Sequence, residues 1–481
     1  MRNGVQLIAY VNRLGGDLVG LRELLEGPLS GVFTGVHVLP CFVPFDGADA
    51  GFDPIDHRAV DPRLGSWEDV AALGRSFDVT ADLIVNHMSS ESREFRDVLE
   101  RGGASPYASM FLTADRVFPG GAEDGDVARI FRPRPGAPFT AFTLADGSRA
   151  LMWTTFTPSQ VDIDVTDDGA RRYLLDILDR FAAANIAQVR LDAVGYAVKT
   201  AGTSCFMAPE TFTFIDELSR WVHERGMEVL VEIHANHTFQ QAIAPRVDRV
   251  YDFALPPLVL HAFSTGSARV LGRWLEVAPR NAITVLDTHD GIGVIDVAPD
   301  GDRPGLLSER EVDALVESIH RASGGESRAA TGAAARNLSR YQVNCTFLSA
   351  VGGDEQRYLA ARVLQLFAPG IPQVYYAGFL AARNDMELLA RTGIGRDINR
   401  PYYDAEAMTA ALERPVVRRQ VELFRWRNRH PAFGGEFSMR MEGESVLVLR
   451  WDRDSAWAEA AVDVATDTFS IAASPPPPVL A

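Results

Sequence analysis

The chain has 481 residues, 47% hydrophobic and 23% charged, the proportions of a globular protein with a sizeable core, which excludes disordered, collagen-like and coiled-coil readings. Forty-seven basic residues against 64 acidic ones give a formal charge of −17, so nucleic acid and anionic lipid are poor partners for the average surface. Lys199 is the sole lysine; it follows Val198, so a Walker A loop is excluded, a kinase would lack the lysine of its third strand, and a pyridoxal enzyme would have Lys199 or nothing.

Cys41, Cys205 and Cys345 are odd in number, far apart and form no CxxC pair, which speaks against a disulfide framework or structural zinc and for a reducing compartment. The stretch 5–10 near the N-terminus is strand-like and shows no secretory h-region, and no later stretch reaches the ~18 apolar residues of a membrane span. The expectation is a soluble, cytoplasmic protein.

From 5–10 onward, short β-rich apolar runs recur at 35–40, 83–87, 188–193, 228–234 and 284–290. Segments of helical periodicity precede two of them, at 170–181 and 212–225. Strands alternating with helices predict a parallel sheet. So many units in roughly 430 residues favour an α/β fold of the (β/α)8 TIM-barrel type over a doubly wound sheet. No Gly-x-Gly-x-x-Gly turn follows any of the strands, so the dinucleotide-binding alternative lacks its fingerprint.

Two stretches break the alternation, with Gly/Pro-rich loops at 119–121 and 132–136 and Gly/Ala/Ser-rich ones at 324–327 and 331–335. The expected organisation is a catalytic barrel from 1–87, 167–291 and 353–432, an inserted domain B at 88–166, a second insertion B′ at 292–352, and a C-terminal β domain at 433–481. Insertions after barrel strands shape the pocket at the C-terminal mouth.

The chemistry-bearing residues lie where these strands end. A side-chain period of two puts Arg190 and Asp192 on one face, away from Leu191, and puts Glu232 and His234 opposite Val231 and Ile233. The runs at 83–87 and 284–290 end in His87 and in His289-Asp290. Each alone has a structural explanation: a buried ion pair, a satisfied core pair, a capping histidine, turn-forming Asp and Gly. Together, four strands deliver polar groups to the end where barrel active sites lie, and three carry Asp192, Glu232 and Asp290. Retaining glycosyl transfer needs one carboxylate to attack the anomeric carbon and another to protonate the leaving oxygen, while a third stabilises the positive charge on the ring. Arg190 would keep a nucleophile at Asp192 ionised, whereas the acid must hold its proton near neutral pH. A metal-dependent barrel hydrolase is the rival enzyme class, with His234, His237, His289 and Asp290 as ligand types, but the usual inward-facing His-x-His pair on one strand does not occur. A non-catalytic barrel would have lost one of the carboxylates, and none is lost.

The segments 82–87, 189–196, 230–234 and 285–290 resemble the four short regions of the α-amylase superfamily, glycoside hydrolase family 13. The segments 45–57, 132–136, 251–257 and 395–400 resemble, more closely, the sucrose-splitting phosphorylases of that family, a likeness that fades beyond residue 435. Position by position, the resemblance implies Asp192 as nucleophile, Glu232 as general acid and base, and Asp290 as transition-state stabiliser. It implies that Asp49, His87, Arg190, His289 and Arg400 grip a glucosyl group between the apolar walls Phe52 and Phe156. Gln342 belongs to an acceptor loop at 337–342, and Arg134, Tyr196, His234 and Tyr341 are nominated to bind phosphate. Core packing for Tyr196 and a surface charge for Arg134 are the alternatives.

The activity implied is retaining transfer of glucose from sucrose to inorganic phosphate, giving α-D-glucose 1-phosphate and D-fructose. Ser339 and Arg340 stand where relatives carry an acid and an aliphatic residue, which leaves sucrose 6-phosphate or glucosylglycerol as alternative substrates. An amylase-type hydrolase or transglucosidase is the remaining alternative. No acidic cluster argues for an amylase-type calcium, and the resemblance implies no metal and no cofactor, with phosphate entering as substrate. It also implies a homodimer.

Overall fold

The computed structural model describes residues 1–132, 136–331 and 342–476. Eight strands, β1 (Gln6–Ala9), β2 (Gly35–Val38), β3 (Asp78–Ile84), β4 (Ile186–Asp192), β5 (Glu228–Val231), β6 (Arg249–Asp252), β7 (Ala282–Thr284) and β8 (Ile371–Tyr375), close into a barrel. Neighbours in the chain are neighbours in the sheet, and β8 returns to β1 in parallel register, Gln6 beside Gln373 and Ile8 beside Tyr375. This is the (β/α)8 fold that the alternation predicts.

The helix Asp168–Ala183 contains the first periodic segment, the helix Pro209–His223 covers all but the last two residues of the second, and they lead into β4 and β5. The first starts at Asp167, whose carboxylate accepts from the amides of Gly169 and Ala170, and it buries Tyr173, Leu174, Ile177, Leu178 and Phe181 on one side. A capping acid over an i, i+3, i+4 apolar stripe is the signature of a helix covering a sheet. Two strands, β6 and β8, fall outside the apolar runs noted above. Four-residue β6 has Arg249 and Asp252 at its ends, and β8 carries Pro372 and Gln373 within it, so neither reads as an uninterrupted apolar run.

Strand ends also differ from expectation. The run at 284–290 pairs only as far as Thr284 in β7, and the chain then leaves the ladder through the polar Asp287, His289 and Asp290 to Gly291 at φ +100°. Similarly, β5 stops at Val231, and His87 opens a separate strand, His87–Ser89, paired antiparallel with Gln160–Asp162.

The chain forms two compact units, one of Met1–His37, His234–Pro245 and Arg249–Ala481, the other of Val38–Ile233 and Arg246–Asp248. In the first, β9 (Glu436–Glu442), β10 (Val446–Arg453), β11 (Ala456–Asp463) and β12 (Thr468–Ser474) make a four-stranded antiparallel sheet in chain order. It is anchored by Trp451, whose indole donates to the carbonyl of Phe367 at 2.8 Å. Arg427 is buried nearby with its guanidinium on the Asn3 carbonyl and side chain at 3.0 and 2.9 Å, and burial pulls its pKa down to about 9. The barrel strands of this unit carry a polar layer in which Tyr251 donates to Gln373 and Gln373 to Gln6, each at 3.1 Å. These two bonds offset much of the cost of burying the layer, although Gln6 Nε2 has no partner among the described residues.

In the second unit, the segment between β3 and β4 builds the hairpin Phe139–Thr143/Arg149–Trp153 and, with Cys205 from beyond β4, a small core that includes Leu112, Phe118 and Trp153. The three cysteines are free and buried. Among the described residues no helix is long and apolar enough to cross a membrane.

Candidate active site

Strand register assembles the acidic part of the second unit. Arg190 lies beside Asp82 of β3 on one side and Leu230 of β5 on the other, so its guanidinium reaches the carboxylates flanking both. One Nη1 donates to Asp82 and, at 2.9 Å, to Asp192; Nη2 pairs with Glu232 at 2.8 Å. The arginine and Asp82 are buried, 2% and 0% exposed at their side chains, where bare charge is expensive and a shared cation offsets it. Ala193 turns the chain with φ 54° directly after Asp192, and its amide donates to Glu232 at 3.4 Å. Arg190 thus holds two of the carboxylates that the strand pattern singles out, along with Asp82, which the pattern does not.

A second group surrounds His87. Its Nε2 lies 3.0 Å from the carbonyl of Phe52 and 3.1 Å from the amide of Gln160, which donates to Asp49 at 3.2 Å. The imidazole packs edge-on against Phe156 with centroids 5.3 Å apart, and Phe156 packs against Tyr196 at 5.1 Å. Burial pulls the His87 pKa down, so the ring is neutral at neutral pH and offers a hydrogen bond rather than a charge. Phe52 also lies under Arg190, its centroid 5.6 Å from the guanidinium carbon. Asp49, Phe52, His87, Phe156, Arg190, Asp192, Tyr196 and Glu232 therefore gather in this unit, with Gln160 as a member that no sequence motif flags.

The first unit holds Asp290 in a different setting. Its carboxylate meets Arg396 at 2.8 Å, His289 at 3.5 Å and Arg400 at 3.9 Å. Burial by itself would raise its pKa, but Arg396, His289, His234 and Arg400 together hold it well below the usual carboxylate range. Arg400 also donates to the carbonyl of His289 at 2.9 Å and lies over the ring of Tyr10, and its own carbonyl accepts from Arg13. His234 stacks on Phe253 with centroids 3.9 Å apart and has Nδ1 3.4 Å from Asp296. Gln342 pairs with Gly293 in a short antiparallel ladder and accepts from Arg396 at 3.5 Å. Here Arg396, Tyr10, Phe253 and Asp296 are the residues sequence reasoning missed. Arg396 sits inside the 395–400 motif, but no linear spacing shows which of its arginines reaches Asp290.

Asp192, Glu232 and Asp290 each leave the C-terminal end of a barrel strand, the end at which (β/α)8 enzymes carry their chemistry. Arg134, Ser339, Arg340 and Tyr341 lie outside the described residues.

Residues 4–205 match the family described as Alpha amylase, catalytic domain. Over 476 residues the chain is 56% identical to a sucrose phosphorylase of Agrobacterium vitis, covering 98% of each chain. It belongs to the sucrose phosphorylase group of the α-amylase family. A sucrose phosphorylase of Bifidobacterium adolescentis is 52% identical over 462 residues, 95% of this chain and 92% of that one. The solved structure of a sucrose 6F-phosphate phosphorylase from Thermoanaerobacter thermosaccharolyticum superposes with a TM-score of 0.92 at 37% identity, covering 98% of this chain and 96% of that one. A match of this extent takes in the C-terminal sheet, which the motifs alone left less recognisable.

Proposed function

We propose that the protein is a sucrose phosphorylase that moves glucose from sucrose to inorganic phosphate with retention, releasing D-fructose and α-D-glucose 1-phosphate. The observation that carries this reading is the 56% identity to one sucrose phosphorylase across nearly the whole of both chains. Asp192 attacks the anomeric carbon, the bond to the fructosyl oxygen breaks, and Glu232 gives that oxygen its proton, leaving a β-glucosyl ester on Asp192. Phosphate then attacks the same carbon, Glu232 takes the phosphate proton, and the ester bond breaks to free Asp192. Two inversions give net retention.

In this reading Asp290 stays ionised and stabilises the oxocarbenium-like transition state. Asp49, His87, Arg190, His289 and Arg400 hold the glucosyl group against Phe52 and Phe156, and Gln342 belongs to the acceptor side. Arg134, Tyr196, His234 and Tyr341 bind phosphate, offsetting the repulsion that an anion meets among carboxylates. The reading keeps the division into a barrel, insertions at 88–166 and 292–352, and a C-terminal domain from 433. It includes a cytoplasmic homodimer, the dimer being checked by sedimentation equilibrium.

The test is release of α-glucose 1-phosphate from sucrose, and in parallel from sucrose 6-phosphate, with and without inorganic phosphate. Phosphate-dependent product from sucrose is the expected result. Product from the phosphorylated sugar alone supports the second reading, which Arg340 and the likeness to a sucrose 6F-phosphate phosphorylase favour. Glucose release indifferent to phosphate means a hydrolase. Arg134→Ala should weaken the response to phosphate far more than the slow hydrolysis of sucrose.

A further inference from the structure

Forty-six of the 47 basic residues are arginine, and the one lysine has no role in the chemistry above. Lys199 is 1% exposed at its side chain and lies in the second unit. Its Nζ is 2.6 Å from Asn86 Oδ1 and 2.5 Å from Asp162 Oδ2, and it also donates to the carbonyl of Tyr196. An ammonium has three donors in a pyramid, and these three oxygens use all of them. The planar fork of an arginine cannot direct three N–H groups from one atom in this way.

Each acceptor lies one step from a side chain that the proposed function sets against substrate. Asn86 precedes His87, and its amide is 3.4 Å from the His87 ring nitrogen. Asp162 sits opposite His87 in the antiparallel ladder. The same carboxylate accepts from the amide and hydroxyl of Thr155, at 3.0 and 2.6 Å, directly before Phe156. Tyr196 contributes its own carbonyl. One buried charge thus ties three separate stretches of chain, 86–87, 155–162 and 196, whose side chains His87, Phe156 and Tyr196 pack on one another.

We propose that Lys199 is a positioning residue whose ammonium, held by Asn86, Asp162 and the Tyr196 carbonyl, sets His87 and Phe156, with Tyr196 packed against them, in the geometry that binds the glucosyl donor. The contacts stand on their own; the substrate rests on the sucrose phosphorylase reading. Without the cation, Asp162 keeps only its Thr155 bonds, and the three stretches lose their common tie.

The test compares wild type with Lys199→Met, Lys199→Ala and Lys199→Arg in sucrose phosphorolysis, alongside far-UV circular dichroism and Tm. Lys199→Met, folded by dichroism, should raise the KM for sucrose by about tenfold or more, the scale of a displaced binding group. Propylammonium, the fragment that Lys199→Ala removes, should restore much of that variant's lost kcat/KM, and tetramethylammonium, a cation without N–H donors, should not. A folded Lys199→Met with wild-type KM and kcat and only a lower Tm overturns the proposal, as does equal rescue by both cations. Should Lys199→Met fail to fold, Lys199→Arg keeps the charge beside Asp162 and decides the matter: wild-type kinetics there overturn the proposal, and a raised KM supports it. Inactivity of the wild type on sucrose counts against the substrate reading alone, whereas a variant indistinguishable from an active wild type counts against Lys199 alone.

Discussion

The two acidic regions of this chain are built on opposite charge balances. Around Arg190, one guanidinium serves three carboxylates, Asp82, Asp192 and Glu232. Around Asp290, one carboxylate is served by Arg396, Arg400 and the ring of His289. A region short of cations favours a proton on one of its acids, while a region rich in them keeps its acid ionised. In the proposed reaction Glu232 carries the proton, and Asp290, held ionised by its surrounding cations, is the fixed negative charge.

The sharpest way to break this comparison is at the proposed nucleophile. Asp192→Asn keeps the shape and removes the attacking charge, so α-glucose 1-phosphate release should fall by about a thousandfold or more. Activity within about tenfold of wild type would sink the assignment. Next in size is the shared cation. Arg190→Met leaves Asp82 buried without the guanidinium, a loss of about 3–5 kcal/mol in unfolding free energy, read from urea denaturation. Adding Asp82→Asn should recover part of that loss, and no recovery would mean that Arg190 stabilises mainly by packing.

How much of this was legible in the linear sequence follows from what each feature depends on. Arg190 and Asp192 are visible because a two-residue period needs no knowledge of neighbours. Glu232 is visible for the same reason, although β5 ends one residue before it. Asp82 as a partner requires the β3–β4 register, and Arg396 requires knowing how a segment about a hundred residues beyond Asp290 folds back to it, information that no local pattern contains. The barrel itself was legible from alternation, but β6 and β8 were not, because a short strand with charged ends and a strand carrying Pro and Gln lack the apolar run that marks the others.

The cation-rich side of the comparison is tested at Arg396, the nearest of the charges on Asp290. A carboxyl held below its ordinary range is ionised above that depressed value and loses its contribution only as pH falls through it. Arg396→Ala removes the closest cation, so Asp290 moves back up and the acid limb of kcat/KM should rise by about one pH unit or more. Activity at neutral pH should change less than activity at the acid end of the profile. An unmoved acid limb would show that His289, His234 and Arg400 alone keep Asp290 ionised.

The smallest effect concerns an acid of a third kind, Asp252, whose oxygens lie 3.1 Å from the Trp274 indole and whose Oδ1 accepts from the Leu255 amide at 3.0 Å. Burial pushes this carboxyl up to about 6, with those hydrogen bonds opposing. The folded chain then holds the proton more tightly than the unfolded chain, whose aspartate titrates near ~3.9. Stability from this group is accordingly complete below about pH 4 and declines as pH rises through 6, by about 2–3 kcal/mol in all. Asp252→Asn retains an acceptor for Leu255 but removes the titration, so its stability relative to wild type, measured by urea unfolding, should improve as pH rises from about 4.5 to 7. Asp287, pushed up to about 6 by burial as well, keeps a slope of the same sign in the variant, so the pH dependence should shrink without vanishing. A difference between Asp252→Asn and wild type that stays constant with pH would mean that the indole and amide bonds offset burial and leave this carboxyl at its ordinary value.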